Sequence, residues 1–224
     1  ADGGTPRQMT SGDYPISGSV SWMPDSQSII FSSNRREDVE YHPRQNDLYG
    51  ASLTTGELTQ MTDHAGPESN PAVSPNGRYL AYTSAADTRQ GYNRADLRVM
   101  DLTSGESRSL TADLDRSVSD VQWSADSKSV WIRYNDLGMA RIAEVDLKGN
   151  LKQADVVLGG TALGRPYTSG TFSVGGKDRI AYTLGRDDRP ADLALMRSGK
   201  QPLQLTDLNS DLMGQREMSR VERM

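Results

Sequence analysis

Short apolar runs, a few residues long and alternating with polar ones, cover the whole 224-residue chain, and one run returns four times. It reads SWMPDSQSIIF at Ser21–Phe31, VSPNGRYLAY at Val73–Tyr82, WSADSKSVWI at Trp123–Ile132 and FSVGGKDRIAY at Phe172–Tyr182. The turn residues Asp25, Asn76, Asp126 and Gly176 stand 51, 50 and 50 positions apart. Two further landmarks keep the same register. Asp47-Leu48-Tyr49, Asp96-Leu97-Arg98 and Asp192-Leu193-Ala194 each open a strand, with a looser version near Ala140-Arg141-Ile142. Gln60-Met61-Thr62, Ser109-Leu110-Thr111 and Gln204-Leu205-Thr206 each close a unit.

Period-two alternation bounded by turn residues predicts β-strands. Each unit yields four of them. Strand A ends at the Trp or Val-Ser position, and a tight turn follows. At Asn76-Gly77 both central residues are expected at positive φ, as in a two-residue hairpin. Strand B is the run typified by Tyr79–Tyr82, strand C carries Leu97–Leu102, and a Gly-Glu turn leads to a short strand D. Four strands repeated about every 40–50 residues predict a β-propeller. A β-sandwich also turns often, but it does not return the same residues at a fixed register. The fold class is therefore all-β, a propeller of four-stranded antiparallel blades at 17–62, 68–111, 118–153 and 168–206. Residues 1–10 read as the outer strand of a preceding blade. Residues 208–224 read as a linker toward a further C-terminal domain, with Arg220–Arg223 as a possible strand. About four blades plus an orphan strand imply a piece of a larger ring, since propellers close with about 4–8 blades. The recurring Trp22, Trp123 and Trp131 are expected to fill the wedges between blades.

In this topology the A–B and C–D turns share one face, and the B–C and D–A loops share the other. The longest loops, 33–46, 84–95 and 155–170, all fall on the second face, which makes it the candidate functional face. The first holds Arg35, Arg36, Glu37, Asp38, Glu40, Tyr41, His42 and Arg44, and the second Arg89, Tyr92, Asn93 and Arg94. Arg35, Arg36, Tyr41, Arg89, Tyr92 and Arg94 are the candidate substrate-binding residues. They suit a peptide terminus or a charged side chain, while a solvated loop of mixed sign is the plainer reading of the same residues. Asp187, Asp188 and Arg189 read as a solvated turn.

Composition narrows the chemistry. A chain 35% hydrophobic and 25% charged can build a packed core. A net charge of −5 argues against a nucleic-acid groove, which needs a concentrated basic surface. With no cysteine and only His42 and His64, disulfides, thiolate chemistry and a zinc site are not expected. No EF-hand loop is present, and Gly159–Gly164 lacks the lysine and spacing of a phosphate-binding loop. No serine lies in a Gly-x-Ser-x-Gly elbow. No catalytic residue, no metal and no cofactor are therefore assigned. No apolar stretch approaches the ~18 residues of a membrane span. A soluble protein is expected, with the cytoplasm favoured and the periplasm left open.

The repeat SWMPDSQSIIFSSNR at Ser21–Arg35, with its partner NPAVSPNGRYLAY at Asn70–Tyr82, resembles the TolB-like propeller repeat. That repeat occurs in prolyl oligopeptidase family serine peptidases, among them acylaminoacyl-peptidases and dipeptidyl peptidases, and in the periplasmic protein TolB. The spacing near 50 and the long polar loop between Arg36 and Asn46-Asp47-Leu48-Tyr49 look more like the acylaminoacyl-peptidase type. The resemblance implies a parent that hydrolyses short or N-acylated peptides with a Ser-Asp-His triad in a separate α/β-hydrolase domain. Here the propeller would cap and gate that site. Its expected partners are the hydrolase domain and a peptide, with no nucleic acid and no membrane span. A TolB-like interaction propeller of the bacterial envelope is the alternative. No binding residue of the family maps onto a numbered position here.

Overall fold

The structure is a computed structural model that describes residues 4–88, 90–160, 169–176, 179–186, 189–197 and 200–216. It contains four four-stranded antiparallel sheets, each a simple meander. The first comprises β1 (Ile16–Trp22), β2 (Ser28–Ser33), β3 (Asp47–Ser52) and β4 (Leu58–Gln60). The second comprises β5 (Glu68–Val73), β6 (Tyr79–Ala85), β7 (Ala95–Asp101) and β8 (Ser107–Ser109). β9 (Val118–Trp123), β10 (Ser129–Asp136), β11 (Met139–Asp146) and β12 (Leu151–Gln153) form the third. β13 (Phe172–Gly175), β14 (Arg179–Leu184), β15 (Asp192–Arg197) and β16 (Leu203–Gln204) form the fourth. A single turn of helix, α1 (Ser210–Met213), follows. The fold is thus all-β and built of propeller blades, as the repeat predicts. The chain divides into two compact units, Ala1–Ala112 with blades 1 and 2, and Asp113–Met224 with blades 3 and 4.

The A–B turn is built differently from the two-residue hairpin expected. In blades 1 to 3 only its third loop residue is left-handed: φ is 58° at Ser26, 72° at Gly77 and 61° at Ser127. Pro75 explains this in blade 2. Its ring fixes a negative φ, which suits the first central position of a type I turn. That turn closes with Gly77 N–H donating to Ser74 O at 2.8 Å, and Gly77 then takes the left-handed bulge position. The Asx residue holds the loop from inside. Asp25, Asn76 and Asp126 each accept the backbone N–H two residues on, at 2.9, 3.0 and 3.1 Å.

The landmarks Asp-Leu and x-x-Thr prove to be one device. The N–H after the strand-C aspartate donates to the threonine hydroxyl that ends strand D: Leu48 to Thr62 at 2.9 Å, Leu97 to Thr111 at 2.8 Å, Leu193 to Thr206 at 2.8 Å. In blades 1 and 4 the glutamine side chain returns the bond, Gln60 to Asp47 and Gln204 to Asp192, each at 3.2 Å. The outer strand is only two or three residues long, so side-chain bonds hold its end where ladder bonds are few.

Within each unit the two blades pack face to face. In the first, Ile30 and Leu48 of blade 1 meet Leu80, Tyr82 and Met100 of blade 2. In the second, Trp131, Ala140 and Ile142 of blade 3 meet Phe172, Ile180, Tyr182 and Ala194 of blade 4. Trp131 packs in the core between blades 3 and 4 as expected and Trp123 is buried, but Trp22 is 59% exposed. The correction has a simple cause. Trp22 pairs with Ile29 and so lies on the face of blade 1 turned away from blade 2. Residues 4–10 carry no strand. Instead Arg7 donates to the Leu53 carbonyl and Ser11 O accepts from Arg35 at 3.0 Å. Arg220–Arg223, Asp187 and Asp188, and most of the glycine-rich segment after Gly160, lie outside the described residues.

Candidate binding face

The B–C loops of the first unit carry the candidate site. Residues 34–46 leave β2 and return to β3. Asn34, buried, anchors the loop by donating from Nδ2 to His42 O at 2.7 Å. A turn at 38–42 closes with Tyr41 N–H to Asp38 O at 2.9 Å and His42 N–H to Val39 O at 3.1 Å. Asp38 lies between Arg36 Nε at 3.0 Å and the His42 ring, with Nε2 at 3.5 Å. The Arg36 hydrogen bond holds its carboxyl below the usual range. Beyond the turn, Tyr41, His42, Pro43 and Arg44 wall an open cavity of about 400 Å³, which Asp87 of the second B–C loop completes. Arg44 Nη2 reaches Asp87 Oδ1 at 3.6 Å and so bridges the two loops. Tyr41 is 83% exposed at the rim.

The five described residues of the six read from the sequence do not come together. Tyr41 lines the cavity. Arg36 is engaged by Asp38. Arg35 stacks on Tyr14 and Tyr49, with its guanidinium carbon 4.4 and 5.8 Å from the ring centroids, and acts as packing for blade 1. Arg94 pairs with Asp96 at 3.2 Å, at the root of β7. Tyr92 is an exposed ring that is not among the cavity-lining residues. Arg89 lies outside the described residues. Asp87 was missed, since nothing in a lone aspartate signals that its loop meets another. His42 and Arg44 belong to the loop singled out.

The loop runs straight into a buried acidic cluster that no motif announced. Asp47 and Glu68 are buried, Glu68 to 1% exposure. Burial pushes both carboxyls above their usual values. Asp47 accepts from Gln60 and from the His64 N–H at 3.3 Å. Glu68 Oε2 and His64 Nδ1 have no hydrogen-bond partner. Among the described residues no group of three or more His, Cys, Asp or Glu is placed to hold a metal ion. Among them, too, no helix is long and apolar enough to cross a membrane.

With that geometry in view, the sequence of the dipeptidyl peptidase IV (DPP IV) N-terminal region matches residues 1–89. Dipeptidyl-peptidase 5 of Porphyromonas gingivalis is 30% identical over 139 residues, 59% of this chain and 20% of that protein. The Tol-Pal system protein TolB of Francisella tularensis subsp. tularensis is 27% identical over 100 residues, 44% of this chain and 20% of that protein. TolB from Acinetobacter baumannii superposes with a TM-score of 0.61 at 22% identity, over 92% of this chain and 47% of that one. The resemblance to the propellers of prolyl oligopeptidase family peptidases and of TolB is thereby borne out. The chain spans about a fifth of the length of these curated relatives.

Proposed function

We propose that this chain is the propeller region of a serine peptidase of the prolyl oligopeptidase family. In this reading the B–C loop face of its first unit narrows the path of short or N-acylated peptides to a separate α/β-hydrolase domain. The observation that carries it is the 30% identity to a dipeptidyl-peptidase 5 over 139 residues, 59% of this chain. The match of residues 1–89 to a peptidase propeller region supports the same assignment. The cavity between the two loops supplies an open, polar rim with an aromatic ring and a paired Arg44 and Asp87, groups suited to holding an extended peptide. The reading assigns no catalytic residue to this chain, in keeping with the missing nucleophile elbow.

The test is labelling of the whole gene product with a fluorophosphonate probe, with this chain alone as control. Label on the former and none on the latter is expected. In a labelled protein, Tyr41→Ala should raise KM for short peptides several-fold with kcat little changed, the mark of lost ground-state binding. A gene product without a reactive serine defeats the peptidase reading. It would favour the second reading, an interaction propeller like TolB, for which the 27% identity to the Francisella protein speaks.

A further inference from the structure

Asn76 holds a turn position that carries an aspartate in blades 1 and 3, Asp25 and Asp126. Of the chain's asparagines it alone is followed by glycine. That pair has a chemistry of its own. The backbone nitrogen after an asparagine can attack the side-chain amide carbon, and glycine, which has no Cβ, leaves that nitrogen uncovered. A bond forms between Gly77 N and Asn76 Cγ, and the Cγ–Nδ2 bond breaks. Ammonia leaves with the proton that the Gly77 nitrogen gives up, and a succinimide ring remains. Water then opens the ring at one of its two carbonyls, to aspartate or to isoaspartate, with no oxidant or cofactor. Asn76 is exposed on the A–B turn, within reach of water.

The folded turn holds both reacting groups back from this step. Gly77 N–H donates to Ser74 O at 2.8 Å, so the attacking nitrogen is committed to closing the turn. Asn76 Oδ1 accepts from Ser74 Oγ at 2.7 Å and from Arg78 N–H at 3.0 Å, which directs the side chain to the amide two residues on. Ser74 is fully buried, and its Oγ also accepts the Tyr79 N–H at 2.9 Å, so the clamp is anchored in the blade. Attack on Cγ therefore waits for the turn to open, a local event that does not require global unfolding.

The aspartate product already has its place in this repeat. In blade 3, Asp126 Oδ1 accepts from Ser124 Oγ at 2.8 Å and from Lys128 N–H at 3.1 Å. Ser127 N–H donates to Ser124 O at 3.0 Å, and Ser129 N–H to Ser124 Oγ at 3.1 Å. The Ser124 hydrogen bond holds the Asp126 carboxyl below its usual range. Ser74 Oγ and the Arg78 N–H would hold a carboxylate at position 76 in the same way, and bonds to a charged acceptor are the stronger kind. Isoaspartate has no such place. It routes the main chain through the side-chain carbonyl, and the added methylene moves Gly77 away from Ser74 O.

We propose that Asn76 is a deamidation site, restrained by the Ser74 clamp of the folded A–B turn, whose aspartate form matches the turns of blades 1 and 3. The modification adds one negative charge to the turn and leaves the fold unchanged. It stands apart from the peptidase reading and uses none of its residues.

The test is peptide mapping by mass spectrometry during long incubation in mildly alkaline buffer, with aspartyl and isoaspartyl forms separated. The folded parent, the parent in guanidinium chloride and folded Ser74→Ala run in parallel. Asn76 is expected to deamidate ahead of every other asparagine, at least about tenfold faster in denaturant than in the folded protein. Ser74→Ala should raise the folded rate several-fold, and exchange of the Gly77 amide should speed up with it. Asn76→Asp should keep the parent's circular dichroism and a urea midpoint no lower. The comparison of folded with denatured parent needs no variant, so it decides even if Ser74→Ala does not fold. Equal rates in the two states overturn the proposal, and so does a folded protein in which the aspartate form does not accumulate. A folded Ser74→Ala that deamidates no faster, or an Asn76→Asp with a lowered midpoint, overturns it as well.

Discussion

Replacing Thr111 by valine tests the strand-end clamp at its most buried copy. Leu97 N–H donates to Thr111 Oγ1 at 2.8 Å, and both residues are buried. Valine keeps the shape of threonine and removes only the acceptor, so the Leu97 N–H stays buried without a partner. Such a group costs about 1–3 kcal/mol. Thr111→Ser is the matched control: it keeps the oxygen and loses one methyl, worth about 0.8 kcal/mol. The expected order is therefore parent, then serine, then valine, with valine lowest. Urea unfolding of the three proteins at fixed pH measures it. Hydrogen exchange of the Leu97 amide reads the same bond locally and should speed up in Thr111→Val only. Thr206 makes the equivalent bond to Leu193 N–H in an exposed setting, where water can replace the hydroxyl. Thr206→Val should then cost no more than about 0.5 kcal/mol. A serine variant as unstable as the valine one, or an unchanged Leu97 exchange rate, would refute the reasoning.

The interblade core and the turns make further predictions. Leu48→Ala, at a fully buried position against Leu80 and Tyr82, should cost about 2–5 kcal/mol in urea unfolding of the first unit. Ser26 and Gly77 share the left-handed turn position, at φ 58° and 72°. Ser26→Gly should therefore stabilise by up to about 1 kcal/mol and Gly77→Ala should destabilise by about as much, as read from urea midpoints. Glu68 gives a pH signature. Its folded pKa is raised by burial and by Asp47, against the opposing pull of Thr62, His64 and Arg98. The native state thus keeps a proton that the unfolded chain releases near pH 4.3, by about the ordinary glutamate value. That contribution is complete below the unfolded pKa and is lost as pH rises through the folded one. Relative to the parent, Glu68→Gln should gain stability across that window and then level off. A difference in urea midpoint that is flat or falls with pH would count against a buried, protonated Glu68.

The repeat made most of the fold legible. Four strands per blade, the turn residues and the landmark positions all follow from alternation and spacing, because each blade is a local meander whose strands pair with their neighbours in sequence. The A–B turn was misread where Pro75 was overlooked: its fixed φ selects a type I turn with a bulge over the two-residue hairpin that Asn-Gly alone implies. The inner-strand bulges were not legible either. They place Asn70 and Asp120 at φ 54° and 48°, and Gly18 at 74°, a choice made by the curvature of a packed sheet. The sequence also determined that this chain has no nucleophile elbow, and that the two long B–C loops of the first unit share one face.

What only the tertiary structure decided is which side chains meet. Arg35 and Arg94 look like loop cations in the sequence. Packing against Tyr14 and Tyr49 turns the first into a structural group, and Asp96 at the root of β7 does the same for the second. Trp22 and Trp123 occupy the same position in the repeat, yet one is exposed and the other buried, a difference that the repeat itself does not record. Asp87 joins Tyr41, His42 and Arg44 only because two blades stand side by side. Alternation within a strand records which face a residue takes, since successive side chains point to opposite sides. It carries no record of what covers that face, which is set by contacts between residues some 50 positions apart.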